Sequence, residues 1–186
     1  LIRALLLIKP EMVNASERKL TFRQLVGFSS VEVARDYIIE KEVESVLRQS
    51  HADHFKWMES RFSVPLTKGL DVWPQFIEVT SRRNLFVHTG GKVSSQYLRV
   101  CKDHGVELDP GIDVGDELIV SPEYFKGAYA VIFEIGVKLG HVLWRKHNPE
   151  DRDNADSNLN AIAYDLLCEG NHSLVQRILD FGTETL

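Results

Sequence analysis

Apolar residues recur at three- and four-residue steps through most of this chain, and this spacing constrains the fold more than any other feature. Such spacing places apolar side chains on one face of a helix. Ser121 followed by Pro122 is a typical helix start, and Asn148-Pro149 is a typical end. We predict that residues 122–146 form the longest continuous helix. Its apolar stripe comprises Phe125, Ala128, Ile132, Ile135, Leu139 and Val142. Of these, Phe125, Ile132, Ile135 and Leu139 should be buried.

Start and stop signals predict shorter helices before this one. Ser29 and Glu32 have the spacing of a capping box at the start of "FSSVEVARDYIIEKEVESVLRQ". A second apolar pattern covers "HADHFKWMESRF". A third helix should begin near Asp71, a good N-cap, with Pro74 in its first turn, and should end at Gly90 or Gly91. The stretch "SSQYLRVCKDHG" predicts a short fourth helix.

The remaining segments complete the predicted architecture. Residues 105–120 read as an irregular connector that ends in an extended piece, "ELIV". A polar link, "EDRDNADSN", precedes two short helices that turn at Gly170-Asn171. We therefore predict an all-α fold, an antiparallel helical bundle with a C-terminal helical hairpin. The expected divisions are an N-terminal segment at 1–27, a helical domain at 28–148, and the link and hairpin at 149–186.

Composition limits the classes of function. The 186 residues carry a formal net charge of −5, so the molecule as a whole is not a broad basic nucleic-acid binder. Its two cysteines fit no metal or disulfide framework, which favours a reducing, cytoplasmic setting. The apolar start "LIRALLLI" is too short to span a bilayer, and no membrane association is expected. Because the chain opens mid-pattern without Met, we expect a fragment of a longer protein.

One stretch, "RRNLFVHTGG" at residues 82–91, combines polar residues with strongly apolar neighbours. It falls in the final turns of the helix predicted to end at Gly90 or Gly91. Asn84 and His88 are four residues apart, so they share one stripe of the helix, and Arg83 lies one step round. The window from Val79 to Lys102 contains no Asp or Glu. Its five basic residues form a local positive patch: Arg82, Arg83, Lys92, Arg99 and Lys102.

An ordinary helix end is a second interpretation of the same residues. The last turn of a helix attracts Arg, Lys and His because of the helix dipole. An Arg within five residues of a His also occurs often by chance. The residue types alone therefore leave a site and a plain helix end as open alternatives.

The stretch "RNLFVH" resembles the Arg-x4-His signature of HEPN domains, in which a polar residue follows the Arg. Arg83, Asn84 and His88 match that signature position for position. The segments "GGKVSSQYL", "GDELIVSPEYF" and "LWRK" are also similar to bacterial members, so the resemblance covers roughly residues 28–147.

This resemblance implies an all-α domain that commonly forms homodimers with the two motif helices facing each other. Many members are metal-independent endoribonucleases of toxin–antitoxin and antiviral systems. The resemblance therefore implies that Arg83, Asn84 and His88 are catalytic and that RNA is the substrate. Lys92, Arg99 and Lys102 would contact RNA, while Arg82 would either help to hold its backbone or remain a solvated surface cation. An antitoxin or sensor partner is also implied.

Three functions remain open from the sequence. The first is an active ribonuclease that cleaves RNA through a 2′,3′-cyclic phosphate, and the second is a non-catalytic module for dimerisation or for nucleotide or RNA binding. The third is a helper that works beside a nucleotidyltransferase. His51, Asp53 and His54 lie close together in sequence but lack further ligands, so neither a metal nor another cofactor is expected.

Overall fold

The chain is folded as α-helices joined by turns and short irregular segments. A computed structural model describes residues 1–14 and 18–184. Within these residues there is no β-strand, and the extended structure is limited to one bridge between Lys92 and Glu117. The prediction of an all-α fold is confirmed.

Two compact units divide the chain, Leu1–Leu66 and Thr67–Leu186. The first unit contains five helices in its described part. They are α1 (Ile2–Ile8), α2 (Pro10–Asn14), α3 (Phe22–Leu25), α4 (Val31–Leu47) and α5 (His51–Phe62). Helix α4 packs against α1, α2 and α5. Of the expected N-terminal segment 1–27, residues 15–17 lie outside the described residues.

The second unit contains the longest described helix and the residues Arg83, Asn84 and His88. Its helices are α6 (Trp73–Thr89), α7 (Ser95–Asp103), α8 (Pro122–His147), α9 (Arg152–Cys168) and α10 (His172–Glu184). Helix α8 packs against α6 and also against α9 and α10. The boundary between the two units falls inside the expected 28–148 domain. The hairpin α9–α10 belongs to the same unit as the motif helix.

Two apolar clusters hold the second unit together. The first lies under α6, α7 and the connector, and it contains Leu85, Val93, Tyr97, Cys101 and Leu118. The second joins the hairpin to α8, and its buried members are Leu159, Ala163, Leu166, Leu174, Val175, Ile178 and Phe181. Backbone bonds from Leu118 to Gly91 (3.0 Å) and from Val93 to Asp116 (2.8 Å) tie the connector to the end of α6. Of the expected extended piece at 117–120, the structure shows one isolated bridge at Glu117 and a buried Leu118, whereas Ile119 and Val120 are exposed.

The predicted caps of two helices are wrong. Helix α4 is capped by Ser30, whose hydroxyl accepts from the Val33 amide, and not by Ser29. This shift puts Val33 where a capping box needs Glu or Gln, so the box cannot form. Helix α6 begins after Val72 without a side-chain cap, and Asp71 lies in the preceding turn. That turn is closed by a backbone bond from Trp73 to Leu70 (2.9 Å).

The predicted helix at 122–146 is confirmed, since α8 runs from Pro122 to His147 and is the longest described helix. Its predicted stripe is largely wrong. Phe125 and Ile132 are exposed, at 66% and 49%, and Leu139 is only half-buried, whereas Ile135 is buried. Helix α8 packs against α6 and also against the two helices of the hairpin, so its burial does not follow a single stripe. Its buried residues are Glu134, Ile135, His141 and Leu143.

The polar link predicted at residues 150–158 is also wrong. A short 3₁₀ helix, Pro149–Asp151, leads directly into α9. Charge pairing explains why so polar a stretch is helical. The Asp156 carboxylate lies 2.6 Å from Arg145 and 3.1 Å from Arg152. The indole N–H of Trp144 donates to Asp151 (2.8 Å). The predicted turn at Gly170-Asn171 and the hairpin that it joins are confirmed.

One helix of the described residues, α8, is long and apolar enough to cross a membrane by length and composition. Core helices of proteins outside membranes pass the same test. Helix α8 buries Glu134, which is paired with Lys138 (2.7 Å) and with Arg177 of α10 (2.6 Å). These features give no indication of a membrane protein.

Candidate functional site

The motif residues lie in the last two turns of α6, just before a sharp helix end. Gly90 and Gly91 both have left-handed backbone angles, with φ of 63° and 88°. The Gly91 amide donates to the Leu85 carbonyl (3.1 Å). A Cβ on Gly91 would lie 2.8 Å from Cε1 of Phe86, so this position needs glycine for contact as well as for conformation. The double glycine therefore fixes where α6 stops and how the chain leaves it.

Arg83, Asn84 and His88 are all exposed. The Arg83 Nη1 donates to Oδ1 of Asn84 (3.1 Å), which ties the guanidinium to the neighbouring amide. Asn84 and His88 line the same open pocket of about 320 Å³. Arg83 does not line this pocket, and its observed connection to it is the bond to Asn84. The structure thus brings all three motif residues to one exposed area.

The pocket lies between α6 and α7. Leu85 and Tyr97, both buried, contribute apolar surface, and Val100 is half-buried. Its polar groups come from Ser81, Thr89, Ser94 and Gln96, together with the two motif residues. Among the described lining residues there is no carboxylate, although the chain is acidic overall. An anionic substrate would therefore meet no like charge from the walls.

The basic residues expected to contact RNA separate into two groups. Lys92, Arg99 and Lys102 are exposed, the first just after α6 and the others on α7. Arg82 is different, because its side chain is only 15% exposed. Its Nε lies 2.6 Å from Glu78 and its guanidinium stacks over the ring of Tyr124 at 4.1 Å. Arg82 also does not line the pocket that contains His88.

A buried carboxylate, Glu78, lies four residues before Arg82 on α6 and is the centre of a hydrogen-bond network. Its Oε1 accepts from the Tyr97 hydroxyl (2.7 Å) and from Arg82 Nε (2.6 Å). Its Oε2 accepts from the Tyr124 hydroxyl (2.8 Å). One carboxylate therefore joins α6 to α7 and α8, and the ring of Tyr97 reaches from this network into the pocket of His88.

Burial and the Glu78 carboxylate determine the protonation of this network. Burial, reinforced by hydrogen bonding to Glu78, raises the pKa of Tyr97 and of Tyr124 well above the ordinary phenol value, so both remain donors. Burial opposes the charge of Arg82, but the adjacent carboxylate outweighs it and raises the guanidinium pKa. Burial also raises the pKa of Cys101 to about 11, which makes this thiol unreactive.

Sequence reasoning missed the Glu78 network. One local signal for it exists, the four-residue spacing of Glu78 and Arg82, which places them on the same helical face. Nothing local indicates that Tyr97 and Tyr124 converge on the same carboxylate, since they are 19 and 46 residues away. These two tyrosines lie in "SQYL" and "PEYF", segments that carry the HEPN resemblance.

A second, larger cavity of about 680 Å³ opens beside this network and is lined in part by Glu78, Arg82 and Tyr124. The described residues contain no group of three or more His, Cys, Asp or Glu side chains that could hold a metal ion.

The chain has no match among protein-family models, curated proteins or solved structures. The site's chemistry must therefore be argued from its own residues.

Proposed function

We propose that this protein is a metal-independent endoribonuclease of the HEPN type, acting in the cytoplasm of a bacterium in antiviral defence or a toxin–antitoxin system. The observation that carries the proposal is the grouping of Asn84 and His88 on one pocket, with Arg83 hydrogen-bonded to Asn84. These residue types match the chemical needs of RNA cleavage.

The ribose 2′-hydroxyl serves as the nucleophile. His88, exposed to solvent, accepts the 2′-hydroxyl proton as the 2′-oxygen forms a bond to phosphorus. The bond between phosphorus and the 5′-oxygen then breaks, and that oxygen takes a proton from an imidazolium, the His88 of a second copy. The products are a 2′,3′-cyclic phosphate and a free 5′-hydroxyl.

Arg83 stabilises the charge that develops on the phosphorane oxygens. Its planar guanidinium can donate two parallel hydrogen bonds to them, and this geometry is stronger and more specific than a point charge. The bond to Asn84 holds the guanidinium beside the pocket before the substrate arrives. Asn84 is therefore assigned the role of positioning Arg83.

A homodimer would bring two such sites together. Phe86 and Val87 lie between Asn84 and His88 in α6 and are 38% and 56% exposed. On the neighbouring helix α8, Phe125, Tyr129 and Ile132 form an exposed stripe at four- and three-residue steps. These exposed apolar side chains on two packed helices are the kind of surface that a two-fold contact between copies would cover. We assign a second copy to this surface, and an antitoxin or sensor partner would act on the dimer.

The test is incubation of the purified protein with a defined single-stranded RNA in EDTA. Wild type should release fragments with 2′,3′-cyclic phosphate ends. Arg83→Lys should be severely impaired, because an ammonium cannot reproduce the paired hydrogen bonds. Arg35→Lys, at an exposed position on α4, is the matched control and should cleave normally. Loss of cleavage in EDTA, or full activity of Arg83→Lys, would overturn the mechanism. Binding of RNA without cleavage would favour the non-catalytic module.

A further inference from the structure

We infer that the pocket between α6 and α7 holds one unpaired nucleobase next to the scissile phosphate, and that Gln96 selects adenine there. The inference rests on the proposed function and adds to it a residue that determines specificity. It starts from the position of Gln96 on α7, which lines the same pocket as Asn84 and His88 of α6.

The size of the pocket limits its occupant. Its volume of about 320 Å³ lies at the lower end of the range of roughly 300–1,000 Å³ for small-molecule sites. This space suits a single base with part of its ribose. The rings and aliphatic groups of Leu85, Tyr97 and Val100 provide an apolar wall of the kind that a flat base requires. The rim is polar, so the edge of the base can be read while its face is buried.

The base and the scissile phosphate would lie close together, because His88 and Asn84 line the pocket and Arg83 is hydrogen-bonded to Asn84. A scissile phosphate held by Arg83, with the adjacent 2′-hydroxyl at His88, would lie beside the pocket, so a nucleotide attached to it reaches the pocket without a long linker. Proteins that read RNA sequence do so mainly on bases that are unpaired and turned out of the stack. The exposed cations Arg99 and Lys102 follow Gln96 on the same helix and can hold the continuing backbone.

The chemistry of Gln96 favours adenine. In the described part of the chain no hydrogen bond engages the amide of Gln96, which is exposed at the pocket and presents one acceptor and two donors. A glutamine amide pairs with N6 and N7 of adenine through two hydrogen bonds. An arginine at the same position would instead donate to O6 and N7 of guanine. The pocket therefore predicts a specificity that a single substitution can redirect.

The experiment measures relative kcat/KM on four RNAs that differ only in the unpaired base next to one cleavage position. Wild type should favour adenine by about tenfold, the worth of one good bidentate pair. Gln96→Ala should flatten the preference, and Gln96→Arg should move it to guanine. Gln176→Ala, at an exposed position on α10, is the control and should keep the wild-type preference.

Binding of the four 2′-deoxynucleoside 3′-monophosphates, followed by calorimetry, supplies a readout that does not depend on cleavage. Adenine-selective binding that Gln96→Arg converts to guanine-selective binding would support the pocket even if no RNA were cleaved, and would leave only the nuclease proposal refuted. Cleavage with a base preference unchanged in both Gln96 variants would overturn the inference and leave the nuclease intact. Equal binding of all four nucleotides together with unselective cleavage would also overturn it.

Discussion

Glu78 is one side chain that links three helices of the second unit. It is buried and accepts hydrogen bonds from Tyr97, Tyr124 and Arg82, at 2.6 to 2.8 Å. A buried carboxylate of this kind depends on its partners, because removing one member leaves the others desolvated and unpaired. Since Tyr97 also lines the pocket of His88, the network supports the wall on which substrate would rest.

Replacing Glu78 by Gln should therefore destabilise the protein strongly. The substitution keeps the shape of the side chain but leaves the Arg82 cation, which is largely buried, without its counter-charge. We expect the free energy of unfolding to fall by about 3–5 kcal/mol. Denaturant titration measures it. The control is Glu44→Gln in the exposed pair with Lys41, where solvent screens both charges, so the loss of stability should be much smaller. Equal losses in both variants would contradict the assigned role of Glu78.

At the scale of the helices, α8 is the element on which the second unit is assembled. Besides Glu134, it buries His141, which is 3% exposed and lies against Arg145 of its own helix and Asp156 of α9. Burial, reinforced by the charge of Arg145, lowers the pKa of His141. The native state thus prefers the neutral imidazole more strongly than the unfolded chain does.

This preference predicts a pH dependence with a defined sign. The stability from neutral His141 is fully present above the unfolded pKa, about 6.5. It is lost as the pH falls below that value, because the unfolded chain then binds the extra proton. The melting temperature should therefore drop between pH 7.5 and 5.5, and His141→Asn should reduce this drop. His172→Asn, at an exposed site, should keep it. An unchanged pH dependence in His141→Asn would contradict this account.

The sequence predicted where most helices lie but not which faces they bury. Gly90 was correctly predicted to end α6 and Ser121 to cap α8. Both signals are local, because a left-handed glycine and a capping serine act on residues only a few positions away. Phe125 and Ile132 were misassigned because their burial depends on which elements pack against α8. Glu134 is buried with one partner on its own helix, Lys138, and a second, Arg177, that is 43 residues away and could not be predicted from local spacing.

The same limit applies to the site. Local spacing was enough to place Asn84 and His88 on one stripe, and both line one pocket. The opposite wall of that pocket comes from α7, which no pattern within α6 could predict. Arg82 carries the same charge as Arg83 and precedes it directly, yet contacts from Tyr124 and Glu78 place it in another environment.

At the scale of the whole molecule, the exposed apolar stripe of α8 gives a direct test of whether the protein forms a homodimer. Ile132→Glu would place a charge within the surface assigned to a second copy. We expect wild type to sediment as a dimer at micromolar concentration and Ile132→Glu as a monomer with a normal helical spectrum. The control is Leu167→Glu at a similarly exposed apolar position of α9, which should remain dimeric. A monomeric wild type, or a dimeric Ile132→Glu, would contradict the proposed interface.

RNA cleavage by His88→Ala tests the central claim most directly. The variant should retain the wild-type melting temperature and oligomeric state, because an exposed residue at a helix end contributes only about 0.3–1 kcal/mol through the dipole. His172→Ala, another exposed histidine of the second unit, serves as the matched control. We predict that wild type and His172→Ala cleave RNA in EDTA to 2′,3′-cyclic phosphate ends and that His88→Ala does not. Equal cleavage by all three proteins would contradict the catalytic role of His88.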